Sequence, residues 1–142
     1  METTEKVEIV ERILARAADE LGDVTALVLE NYYRRHPAAD AAFDTHSRHD
    51  DRARLEGLMV ENSLYCLMYW YQSPSEVKIM LEDSVPHHQE TLQIPSKLYS
   101  ELIDVTAEII AETLPPGDTP ELMVWRELRN ELKQLIDSTV KK

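Results

Sequence analysis

The chain predicts an all-α domain, and three observations carry that reading. Apolar residues recur at helical spacing along most of the length, in runs divided by proline or glycine. Only three glycines occur, and no Asn-Gly or Gly-Gly pair separates two alternating apolar runs, so the hairpin signature is missing. Helix-start chemistry stands where runs begin, most clearly at Thr119-Pro120-Glu121: a capping hydroxyl, a proline at the first position and an acid in the first turn.

A first helix is expected over about residues 4–21, with Val7, Val10, Leu14 and Ala17 on one stripe beside Ile13 and Leu21. Gly22 suits the position past its end, and Asp23 can cap a second helix running through Val24, Leu27, Val28 and Tyr32 to about Arg35. His36-Pro37 ends that helix, because a proline pushes its preceding residue out of the helical region. Residues 38–43 read as one tight Ala-rich turn delivering Phe43, the single phenylalanine, and residues 44–52 as an exposed polar connection. A long helix follows over about residues 51–72, with Leu55, Leu58, Met59, Asn62 and Cys66 sharing a face. Its last half, Leu64 to Tyr71, is apolar nearly all round, as in a helix covered on several sides. Ser75 is the expected cap of a short helix holding Val77, Ile79, Met80 and Leu81, and Ser84 of one holding His87 and His88. Pro95 breaks the chain again; Ser96 then opens a helix bearing Tyr99, Leu102, Ile103, Ile109 and Ile110. Pro115-Pro116-Gly117-Asp118 stops it, and the last helix carries Leu122, Trp125, Leu128, Leu132, Leu135 and Ile136. The sum is about six to eight helices.

The length of 142 residues fits one domain spanning the whole chain and permits a real core. A net charge of −12 argues against nucleic acid or an anionic membrane as partner, since both need a basic footprint. No apolar run approaches membrane-spanning length. One cysteine, Cys66, excludes an intrachain disulfide, and the polar N-terminus has no apolar signal core, so a cytoplasmic location is expected. No Ser/His/Asp or Cys/His nucleophile arrangement, phosphate-binding glycine loop or Glu-x-x-His bundle signature is present. His46 and His49 form an H-x-x-H pair on a charged stretch, without neighbouring ligands of fixed geometry.

Two spaced patterns stand out. His88 precedes Ile94 by six residues and Tyr99 by eleven, with Pro95 between them. A His on a short helix, followed by Ile and Tyr as the chain turns, can give a flat cofactor an axial nitrogen and an apolar edge. The plain reading is a surface His-His pair beside an ordinary helix corner. Upstream, His36-Pro37 is followed by Phe43 six residues after the proline, and a long and a short helix separate Phe43 from His88. In order and spacing these residues resemble a globin of the bacterial single-domain, haemoglobin-like type, over essentially the whole chain.

The resemblance implies a globin-like fold enclosing a haem pocket (iron protoporphyrin IX) and reversible binding of a small gaseous ligand: oxygen, carbon monoxide or nitric oxide. It assigns His88 as the iron ligand, with its other ring nitrogen held by the carbonyl or hydroxyl of Ser84, and Phe43 as the ring stacked on the porphyrin. Leu92, Ile94, Tyr99 and Leu102 would line the proximal floor and inner edge. His87 is the rival ligand, about 100° round the helix, and otherwise a surface residue or propionate partner. The distal side departs from the family pattern. No His or Gln stands between Ala53 and Ser63; Leu55 or Met59 would face the iron, with Asn62 or Ser63 a turn deeper. The tyrosine that many bacterial globins carry fourteen residues before the phenylalanine is replaced by Leu29. Without a donor, oxygen should be held loosely relative to carbon monoxide, which disfavours efficient NO dioxygenase activity and leaves sensing, gas binding or weak peroxidase-like turnover. Met59, His46 or His49 could supply a sixth ligand. The resemblance puts a homodimer, where one forms, on the last two helices. Two further readings stand beside it: a globin-like regulatory or interaction module that has lost haem, and an unrelated helical adaptor using Tyr65, Tyr69, Trp70 and Tyr71 as a dimer face.

Overall fold

The computed structural model describes residues 2–46, 52–81, 96–117 and 119–139. Within them the chain is helical: α1 (Thr3–Leu21), α2 (Thr25–Arg35), α3 (Pro37–His46), α4 (Arg52–Tyr69), α5 (74–81), α6 (Ser96–Ala111) and α7 (Pro120–Thr139). The all-α expectation is met, and among the described residues there is no strand and no helix long and apolar enough to cross a membrane.

Local chemistry explains most of the boundaries. Gly22 ends α1 at φ 65°, a conformation cheap only for glycine, and its N–H donates to the Ala18 carbonyl. The Asp23 carboxylate accepts the Thr25 N–H at 3.0 Å, which starts α2 two residues further on. His36 closes α2 by donating its N–H to the Tyr32 carbonyl, and Pro37 opens α3 with no amide to waste. The Thr119 hydroxyl accepts the Leu122 N–H at 3.2 Å and caps α7 as expected.

Three expectations need correction. α3 is not a single turn but ten residues, reaching His46. The cause is tertiary: Asp40 and Asp44 lie one turn apart, and both pair with Arg52 at the start of α4, which stabilises the extra turns. α4 ends at Tyr69, not Gln72. α5 starts at Pro74, one residue before Ser75; Ser73 is the boundary residue, and its carbonyl accepts the N–H groups of Glu76 and Val77.

α6 is the central helix, packed against α1, α2, α4 and α7. Leu102, Ile103, Val105, Thr106, Ala107, Ile109 and Ile110 are all buried, so it is covered on most sides. Thr106 meets its buried polar obligation by donating to the Leu102 carbonyl at 2.8 Å. α7 buries Val124, Trp125, Leu128, Leu132 and Ile136 against it, and the Trp125 indole N–H donates to the Ala107 carbonyl of α6 at 2.8 Å. α1 contributes Ile9, Val10, Ile13 and Ala17, so its buried stripe is centred on Ile9 and Ile13 rather than on Val7.

Charged clamps tie the outer helices to this centre. Arg16 of α1 donates two bonds of 2.8 Å to Glu121 at the start of α7. Those bonds hold the Glu121 carboxyl below its ordinary 4.5. A depressed carboxylate contributes stability that is complete above its unfolded value and lost as pH falls through the folded one. Arg16→Gln should therefore reduce stability modestly at neutral pH, since the Arg16 side chain is partly exposed and its charge is screened. Urea titrations across pH should show the two proteins converging as Glu121 protonates; a deficit independent of pH would contradict the clamp.

Candidate functional site

The side chains expected on the distal side of the pocket sit on α4. With about 100° per residue, Leu55, Leu58, Asn62 and Tyr65 fall within about 80° of one another and form one stripe. Leu55, Asn62 and Tyr65 are half-buried and Leu58 is 47% exposed, so this is an apolar stripe left partly uncovered. Met59 lies about 40° to one side, toward the packed face. It is only 1% exposed, as is Leu102 of α6. Leu55, Leu58 and Asn62 thus lie along an open edge, while Met59 and Leu102 belong to the closed interior. At one end of the stripe Tyr65 stacks on Tyr69 with ring centres 4.7 Å apart and donates to Glu76 of α5 at 3.3 Å, which ties the two helices together.

The α2–α3 corner is fixed by side chains as well as by Pro37. Tyr32 is buried, with the His36 ring centre 5.5 Å from its own. The His36 Nδ1 lies 3.0 Å from a Glu101 carboxylate oxygen on α6, joining the corner to the central helix. The Tyr33 hydroxyl donates to Glu56 at 2.5 Å, under an Arg52 guanidinium 5.3 Å from its ring centre. Burial and then this bond push the Tyr33 phenol above its ordinary 10, so it stays neutral. Its hydroxyl proton is committed to Glu56. Leu29, at the position where a tyrosine donor would stand, is a half-buried side chain packed on the core.

Phe43 stands on α3 and Tyr99 on the first turn of α6. His87, His88, Leu92, Ile94 and the expected Ser84 cap lie outside the described residues, as does His49. The aromatic run is half-buried: Tyr65, Tyr69, Trp70 and Tyr71 pack on the core with part of each side chain exposed, and the Trp70 indole donates to Glu131 of α7 at 3.3 Å. Burial pushes the Cys66 thiol up to about 12, which leaves it unreactive.

Sequence reasoning missed the Arg52 hub, the His36–Glu101 pair and an apolar cavity between α1 and α4. Only the first had a signal: Arg52 and Glu56 stand one turn apart at the head of a long helix. No protein-family model, curated protein or solved structure matches the chain.

Proposed function

We propose that the protein is a haem-binding globin that takes up a diatomic gas on an apolar distal side. The observation that carries this reading is the uncovered stripe of α4. Leu55 and Leu58 present adjoining apolar surface that is left partly open, while Leu27, Met68, Ile79 and Met123 are exposed at other places on the described helices. The order of elements supports it: Pro37 opens α3, Phe43 follows on that helix, and α4, α5 and the start of α6 bracket the segment that contains His88. Haem, when bound, supplies an iron for a gas ligand. The chain's part would be to hold that group, with Leu55 and Leu58 as apolar cover, His88 as the nitrogen ligand and Phe43 as the aromatic contact.

On α4, Asn62 is the single amide of the stripe, and no phenol reaches it from Leu29. Tyr33 is held by Glu56. A gas that gains from a hydrogen-bond donor therefore finds little, and oxygen should leave quickly while carbon monoxide is less affected. The test is an absorption spectrum of protein reconstituted with haemin, then reduced, with and without carbon monoxide. The expected result is a sharp Soret band at one haem per chain that shifts with the gas; a broad, unsaturable free-haemin spectrum would sink the proposal.

One observation favours a second reading. Met59 and Leu102 are closed over by protein atoms alone. A globin-like regulatory module without haem would have such an interior, and it predicts that haemin leaves the thermal midpoint unchanged. A bound haem raises it by mass action.

A further inference from the structure

A second site lies further along α4, toward its C-terminal end. Met68 stands ten residues beyond Leu58 and about 80° round the helix from it. There an apolar cavity of about 170 Å³ sits between α1 and α4. Ala17, Ala18 and Gly22 make room on the α1 side, Leu64 and Met68 form the α4 wall, and Ile110 of α6 closes the base. The cavity shares Leu14, Ala18 and Met68 with a larger outer groove of about 480 Å³, whose rim carries Glu11, Tyr69 and Gln72. Met68 is 39% exposed. The Glu11 carboxylate and the Gln72 amide are exposed, with no side-chain partner among the described residues.

We propose that this slot binds a small amphiphilic cation, its apolar tail in the cavity and its ammonium head at Glu11. Size and charge both point there. An apolar cavity of about 150 Å³ is large enough to hold benzene, so this one takes a tail of similar bulk. An apolar pocket with a few polar groups at its mouth is the usual form of a small-molecule site. A positive head fits the mouth, because the Glu11 carboxylate there has no partner among the described residues and the whole chain bears −12. Its lining includes none of Leu55, Leu58, Met59 and Asn62, so it is a separate site from the α4 stripe.

The probes are n-butylammonium, n-hexylammonium, n-hexanol and hexanoate, titrated into the full chain and followed by amide chemical shifts. Hexylammonium should perturb α1 and α4 around Ala18 and Met68. Its affinity should exceed that of butylammonium by about tenfold, the value of two buried methylenes. Glu11→Gln should narrow its advantage over hexanol by a few-fold, as for an exposed ion pair. Ala18→Leu, on an exposed position of α1, should fill the cavity and erase the dependence on tail length. A thermal melt establishes that this variant folds, and Met68→Ala, which widens the wall, should extend the longest tail accepted. Equal or tighter binding of hexanoate, no localised shifts with any probe, or an unchanged length dependence in Ala18→Leu would each overturn the proposal.

Discussion

Trp125→Ala will remove about 3–5 kcal/mol of folding stability, the range for deleting a large aromatic from a packed interior. Trp125 is 0% exposed and is the largest fully buried side chain. It lies where α7 meets α6, and α6 is the helix against which most of the others pack. The substitution leaves a cavity in that seam and also strips a hydrogen bond from the Ala107 carbonyl. Since a domain of this size is stable by about 5–15 kcal/mol in all, the variant should lose about a fifth or more of its margin. Trp125→Phe separates the two contributions: it keeps most of the volume and should cost about 1–2 kcal/mol, chiefly the lost bond. Urea denaturation followed by Trp70 fluorescence measures both, because Trp70 is the other tryptophan of the chain. The midpoint should fall with an unchanged slope. A loss below about 1 kcal/mol for the alanine variant would mean that the seam is loosely packed, contrary to its burial.

What could be read from the chain follows from where each feature gets its cause. Boundaries set by covalent chemistry were legible: His36-Pro37, Gly22 and the Thr119-Pro120-Glu121 start each depend on backbone geometry that the residues impose locally. The length of α3 was not, because Asp44 stays helical through Arg52, a residue beyond the next connection. Periodicity identified which helices are amphipathic but not their partners. It grouped Leu58 on one face with Met59 and Cys66, which are buried while Leu58 is nearly half exposed, and it gave no sign that Val60 and Ser63 would be buried. Ser63 and Thr106 escape a polarity-based reading because each spends its hydroxyl on a carbonyl of its own helix, at Met59 and Leu102. Of the candidate site, the α4 residues could be ordered round the helix from sequence alone. Which of them is open and which closed depends on α6, and no single-helix pattern contains that. The cavity beside Ala18 was invisible for the same reason: small residues on one helix make a hollow only once a second helix is set against them.

The sharpest test of the haem proposal is the pair His88→Gly and His87→Gly. The two histidines are adjacent in sequence, so any general effect on local folding, on charge or on solubility is shared between them. On the helix that the sequence predicts for this segment, adjacent side chains would stand about 100° apart, so only one of the two would supply a nitrogen to the iron. The spacing to Ile94 and Tyr99 selects His88. His88→Gly should weaken haem binding by more than the roughly 10–100-fold that loss of an outer-shell partner costs a metal site, since here the ligand itself is gone. His87→Gly should leave the reduced and carbon monoxide spectra as they were. Free imidazole adds a readout that a merely structural residue cannot give: in His88→Gly it should re-enter the vacated position and restore the spectrum, while leaving His87→Gly unaffected. A protein in which both variants bind haem like the parent has its iron held elsewhere. The reverse result, loss with His87→Gly and none with His88→Gly, would overturn the spacing argument from Ile94 and Tyr99 that selects His88.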